Sequence, residues 1–227
     1  MCGRDTFFAT WDEVRRFSEP LGLVTPDHDP TPTWNRAPSQ TGWAIVAHEA
    51  GGEARPMRWG LIPAWAKDSK VAWSTINARL ETAASKPAFR AAWKQRRCLI
   101  PSSGWYEWRR LDENNKQPWF IHPASGPVLC FAGLWERWQA ADGESLETYS
   151  ILTRDADTEL RAIHDRMPLV LPPVVFADWL HGDAAQAARI ALAAPAPEVA
   201  FQPVARAVGN TRNNGPKLIE AVAGVVL

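Results

Sequence analysis

The sequence is short of cysteine, of net charge and of long apolar runs, and each shortage removes a class of protein. Cys2, Cys98 and Cys130 are odd in number, widely spaced and without a CxxC pair, which argues against a disulfide framework and against a zinc ribbon. Twenty-five Lys and Arg balance twenty-five Asp and Glu, so the bulk charge carries no basic footprint for nucleic acid and any such site is a local patch. No stretch approaches the roughly 18 continuous apolar residues of a membrane span, and the start lacks the basic and apolar regions of a secretory signal. The expectation is a soluble, cytoplasmic protein without a membrane partner. The five histidines form no HExxH or comparable cluster, so neither a metal nor another cofactor is expected.

What remains is ordinary globular material with one excess. The 227 residues are 46% apolar and 22% charged, enough to fold throughout as one domain, 1–227, with a monomer as the default state. Thirteen tryptophans are many for this length; most belong in a core, and a few could serve as stacking surfaces for bases.

Thr10 and Glu13 form a capping box ahead of Val14 and Phe17, which predicts a helix over residues 11 to 18. Prolines 20, 26, 30, 32 and 38 then predict an irregular loop over 20 to 38, unable to sustain a ladder. GWAIVAHE and RPMRWGLI read as strands, followed by a short helix over 87 to 95. RCLIP, GWYEWRR, QPWFIHP, VLCFAGLWE and ETYSILT alternate with turn-rich segments, as a meander of consecutive antiparallel strands does. Helices are expected around 156 to 163, 173 to 181 and 184 to 193, and another strand at 199 to 206. The fold class is α+β, with a largely antiparallel, barrel-like sheet core and peripheral helices.

Four places could carry chemistry. Removal of Met1 would expose on Cys2 a 1,2-aminothiol, with an amine pKa of about 7.7 to 8.0 and a thiol pKa of about 8.5; position alone leaves open an incidental cysteine at a frayed terminus. In Gly104-Trp105-Tyr106-Glu107-Trp108, alternation sets Trp105 and Glu107 on one face. The segment does not say whether that face is solvated or is desolvated enough to raise the carboxyl into the acid–base range. His164, beside Asp165, is either an acid–base group or a histidine favoured by a helix C-terminus. Asn77 and Arg79 share a strand face and could contact phosphate or sugar.

MCGR at the start, WNRAP at 34–38, RWGLIPAW at 58–65, INARLET at 76–82, CLIPSSGWYEW at 98–108, IHDRMPLVL at 163–171 and AVGN at 207–210 together closely resemble the SRAP (SOS response-associated peptidase) family, in the family's order along nearly the whole chain. The resemblance implies the SRAP fold and the processing of abasic sites in single-stranded DNA, at the nucleoid when bound. It makes Cys2 the crosslinking residue after Met1 removal, and Glu107, His164 and Asn77 its helpers in proton transfer, Schiff-base chemistry and placement of the nucleophile. It also implies DNA contacts at Arg4, Arg79, Trp65, Asn35 and Pro38, a peptidase-like self-removal of Met1, and lyase-type chemistry. Asp5 departs from the apolar or aromatic residue often found after Arg4, and an acid there would weaken phosphate attraction.

The chemistry so implied is an amine attack of Cys2 on the open aldehyde, followed by thiol addition that closes a thiazolidine and protects the strand. Two other readings share these residues: a cysteine peptidase built on Cys2, His164 and Glu107, and a non-covalent reader that stacks bases on tryptophan.

Overall fold

The computed structural model describes residues 2–113 and 115–225. In chain order the elements are β1 (Asp5–Phe7), α1 (Trp11–Phe17), β2 (Leu23–Val24), β3 (Thr33–Arg36), β4 (Thr41–His48), β5 (Gly51–Trp59), β6 (Asn77–Arg79), α2 (Leu80–Ala83), α3 (Arg90–Gln95), β7 (Arg97–Ser102), β8 (Gly104–Arg110), β9 (Lys116–Pro123), β10 (Leu129–Gln139), β11 (Ser145–Asp155), β12 (Arg166–Pro168), β13 (Val170–Leu171), α4 (Phe176–His181), α5 (Ala184–Ala193) and β14 (Val199–Pro203). The expected capping box is present at α1: Thr10 accepts from the Glu13 amide while Glu13 accepts from the Thr10 amide.

Two sheets divide the strands. In the larger, β11, β10, β7, β4 and β5 follow one another as antiparallel neighbours, and a parallel pairing of β5 with β11 closes them into a five-stranded barrel. The smaller sheet runs β14-β9-β8-β1-β3. The fold is therefore α+β around a largely antiparallel barrel, as the sequence predicts.

Period-two alternation distributes the barrel side chains between two cores. Ile45, Leu99, Ala132 and Leu152 join Trp11 and Val14 of α1, Trp93 of α3, and Phe176 and Trp179 of α4. Val46, Cys98, Ile100, Phe131, Tyr149 and Ile151 point the other way and pack against Trp105, Trp119 and Ile121 of the smaller sheet. The far side of that sheet, Tyr106 and Phe120, is covered by Val204, Val208 and Leu218. The smaller sheet is thus buried on both faces.

Three expectations are corrected. The five strands from β7 to β11 do not form a consecutive meander: β7 lies in the barrel and β8 in the smaller sheet, and β10 returns to pair with β7. The switch occurs at Gly104, whose φ of +152° and packing against the Ile121 carbonyl, 2.6 Å from where a Cβ would sit, exclude a side chain. The proline-rich stretch does sustain a ladder, because Thr33–Arg36 is an edge strand paired, among the described residues, only with β1, and its prolines lie outside it. The helix expected at 156 to 163 is reduced to one 3-10 turn, Leu160–Ala162. The antiparallel pairing of β11 with β12 pins both ends of that connection, and Ala156 N–H donates to Asp165 C=O within it at 2.9 Å.

Candidate active site

The amino-terminal segment enters the molecule alongside β8. The Tyr106 amide donates to the Arg4 carbonyl at 3.0 Å, which extends the ladder between β1 and β8 backward toward residue 2. Cys2 consequently lies fully buried in the core that joins the two sheets, with Trp59, Trp105 and Ile163 in the same cluster. Its Sγ donates weakly to the Arg4 carbonyl at 3.8 Å. Burial, then the nearby Glu107 and Asp5 carboxylates, push its thiol well above the ordinary cysteine value. Met1 lies outside the described residues.

Asn77 reaches the same point from the barrel. Parallel pairing of Asn77 with Ile151, supported by Ile151 N–H donating to Ile76 C=O at 3.1 Å, fixes β6 on β11. From there Asn77 Nδ2 donates to the Cys2 carbonyl at 2.7 Å. Its Oδ1 is buried and has no hydrogen-bond partner among the described residues, which leaves an acceptor where a hydroxyl or ammonium of a substrate could be received.

The face of β8 that carries Glu107 is the one that packs on the barrel, so Glu107 is 3% exposed. Burial is the main cause that pushes its carboxyl up to about 7, which makes it able both to give and to take a proton near neutrality. His164 Nε2 lies 4.0 Å from Glu107 Oε2, and burial first of all holds the imidazole below its usual value. Its Nδ1 faces two groups with opposite demands, the Arg166 amide at 3.0 Å and the Asp165 carboxylate at 2.9 Å. Because Asp165 is 84% exposed and the ring favours the neutral form, we assign Nδ1 as acceptor from Arg166 and Nε2–H as the edge turned to Glu107.

Cys2, Asn77, Glu107 and His164 therefore converge, from the amino terminus, β6, β8 and the loop before β12. Arg4 adjoins them, half-buried: it donates to Asn35 Oδ1 at 3.0 Å and to the carbonyls of Val208 and Gly209 at 2.8 and 3.2 Å, with its guanidinium 5.9 Å from the centre of the Trp108 ring. Asn35 is 3% exposed and its Nδ2 donates to the carbonyls of Asn210 and Asn213, so it lies beneath Arg4 and ties down the AVGN segment. Arg79 is exposed beside Asn77. Pro38 sits in a turn tied to the end of β5, where Ser39 N–H donates to Trp59 C=O, and Trp65 in a turn closed by Ala66 N–H donating to Pro63 C=O. Trp65 is 65% exposed.

Two features escape the sequence reading. Trp73, 64% exposed, shares the β5–β6 connection with Trp65; its one trace in the sequence is an indole set in the polar stretch around Lys70 and Ser74. Asp5 is not a surface acid acting on phosphate. It is fully buried and ion-paired with Arg36, a residue inside the quoted WNRAP motif. Among the described residues, no three His, Cys, Asp or Glu side chains gather in a metal-binding group, and no helix is long and apolar enough to cross a membrane.

Residues 1–211 match the family of SOS response associated peptidases (SRAP). The chain is 36% identical over 225 residues to the abasic site processing protein YoqW of Bacillus subtilis, covering 97% of this chain and all of that one. It is 33% identical over 232 residues to the abasic site processing protein YedK of Escherichia coli, covering 98% and 100% of the two chains. In fold it is similar to a crystal structure of a Bacteroides thetaiotaomicron protein, with a TM-score of 0.81, 23% identity and coverage of 97% and 100%.

Proposed function

The chain belongs to the SOS response associated peptidase (SRAP) family, and on that footing we propose that it processes abasic sites in DNA, capturing the ring-opened deoxyribose of a single strand through Cys2 once Met1 is removed. The observation that carries this reading is the convergence of a buried amino-terminal cysteine, an asparagine on its carbonyl and a carboxyl with a pKa near 7.

The steps follow from the chemistry of these groups. An abasic deoxyribose is mostly a closed hemiacetal, and Glu107 opens it by moving a proton between the ring oxygen and the anomeric hydroxyl. The Cys2 amine adds to the C1′ aldehyde; loss of one water gives an iminium. Left alone, the iminium acidifies the C2′ protons and leads to elimination of the 3′ phosphate. Thiol addition to the same carbon forms the C–S bond, the thiol proton ends on the ring nitrogen, and the thiazolidine so formed has no C=N to act as an electron sink. His164, neutral and against Glu107, keeps that carboxyl in play through both proton transfers. Arg4 and Arg79 meet phosphates, and Trp65 offers a face to an unpaired base.

The test is to mix Met1-processed protein with a single-stranded oligonucleotide bearing one abasic site, denature, and weigh the product by mass spectrometry. We expect protein plus DNA minus one water, absent with Cys2→Ala. Cys2→Ser should give an imine that borohydride traps but no lasting adduct. A durable adduct from Cys2→Ser at wild-type yield, or none from the processed wild type, would overturn the proposal.

A further inference from the structure

We propose that the Asp5–Arg36 ion pair is a positioning device for covalent capture: it fixes the register at which the amino-terminal strand presents Cys2 to Asn77 and Glu107. The inference rests on the reading of Cys2 as the capturing residue, and it concerns two side chains that themselves touch no DNA.

The backbone ladder alone leaves this register poorly specified. β1 has three residues, and its pairing with β3 slips within them: Asp5 is opposite Arg36 but Phe7 is opposite Thr33, so the edge strand carries one extra residue between the two pairs. A bulge inside so short a ladder leaves few backbone hydrogen bonds to hold the register, which in a buried strand is set largely by its side chains. The side chains supply what the ladder lacks. Arg36 Nε donates to Asp5 Oδ1 at 2.7 Å and Nη2 to Oδ2 at 2.5 Å, a parallel fork with side chains 2% and 0% exposed, and such a fork tolerates little displacement of either partner.

The other edge of the guanidinium is set against the barrel. A Cβ on Gly42 of β4 would lie 2.4 Å from Arg36 Nη1 and 2.6 Å from the Tyr149 hydroxyl of β11, so the absence of a side chain at residue 42 makes room for Arg36. One ion pair thus locks β1, β3 and the barrel wall together, three residues after Cys2. Stability alone does not explain it, since well-packed apolar residues commonly match or exceed a buried ion pair.

The pair also sets the charge around the thiol. Cys2 is faced by Asp5 from the strand that follows it, by Glu107 from β8, by Arg36 from β3 and by Tyr149 from β11. Asp5 opposes a thiolate, while attraction between a thiolate and the Arg36 guanidinium favours it. The position of the pair therefore reaches the nucleophile in both geometry and charge.

Asp5→Asn and the double variant Asp5→Leu/Arg36→Met, compared with wild type in Met1-processed protein, test this through two readouts. The first is the pH profile of Cys2 alkylation by iodoacetamide, assigned by peptide mass so that Cys98 and Cys130 do not contribute. Asp5→Asn should move its midpoint down by roughly half a pH unit. The second is the single-turnover rate of adduct formation on an abasic oligonucleotide. The double variant should keep its melting temperature and its affinity for the oligonucleotide yet lose roughly tenfold or more in that rate, and Arg36→Lys alone, which keeps a charge opposite Asp5 but not the fork, should lose less of the rate than the double variant does. An unmoved alkylation profile in Asp5→Asn, or capture at the wild-type rate by the double variant, would overturn the inference. If the wild type forms no adduct while the alkylation midpoint moves as stated, the proposed function falls and the coupling of the pair to Cys2 stands.

Discussion

Two carboxylates on neighbouring strands flank Cys2, and their environments are opposite. Asp5, on β1, meets a forked guanidinium in the floor of the site. Glu107, on β8, lies in the wall toward the barrel, where burial pushes it up to about 7 and an imidazole stands 4.0 Å away. Both are nearly inaccessible to solvent, so exposure does not separate them. The partner does: Asp5 is forked to a fixed cation, while burial beside an imidazole leaves Glu107 able to give and take a proton near neutrality.

That contrast can be broken most severely at Arg36. Arg36→Met strands the Asp5 charge in the core and should cost about 3–5 kcal/mol of unfolding free energy, read by urea denaturation; a loss near zero would mean that the fork does not anchor the strand. Glu107→Gln should do the reverse, folding well but lowering the adduct rate by about a hundredfold in single-turnover assays and abolishing the limb of the pH–rate profile near 7. Its stability signature has a definite sign. Because the folded carboxyl titrates about 7, above its unfolded value, the stability it contributes is complete below the unfolded pKa and is lost as pH rises toward 7. Wild-type melting temperature should therefore fall relative to Glu107→Gln across that interval, and parallel curves would show that burial does not perturb Glu107.

Smaller effects sharpen the boundary of the site. Arg4→Ala and Arg79→Ala should each reduce the dependence of log binding constant on log salt by about one unit, measured by fluorescence anisotropy on an abasic oligonucleotide. Arg4→Ala should also lower stability, since Arg4 already holds the Val208 and Gly209 carbonyls, and equal melting temperatures for the two variants would contradict that difference. Smallest of all, Thr10→Ala removes the α1 capping box, outside the site. It should cost about 1 kcal/mol with the adduct rate unchanged.

Much of the fold was legible because the signals are local. The α1 cap needs only Thr10 and Glu13, three residues apart, and most strands announce themselves by alternation. The proline-rich segment misled because its prolines flank Thr33–Arg36 rather than interrupt it, so they take no donor from the ladder of β3. The meander misled because a strand's alternation does not name its neighbour; one glycine at the start of β8 sends the chain into another sheet. Cys2, Asn77, Glu107 and His164, which the structure brings together, each lie in a motif of the sequence, whereas the pairing of Asp5 with Arg36 left no such signal.

The sequence by itself determined which residues could do chemistry, and that Trp105 and Glu107 share one face of a strand. Only the tertiary structure decided that this face turns to the barrel, and that Asp5 finds its cation 31 positions away on another strand. The physical reason is the same in both cases: the free energy of a charge depends on the dielectric and the partners around it, and those are supplied by chain segments remote in sequence.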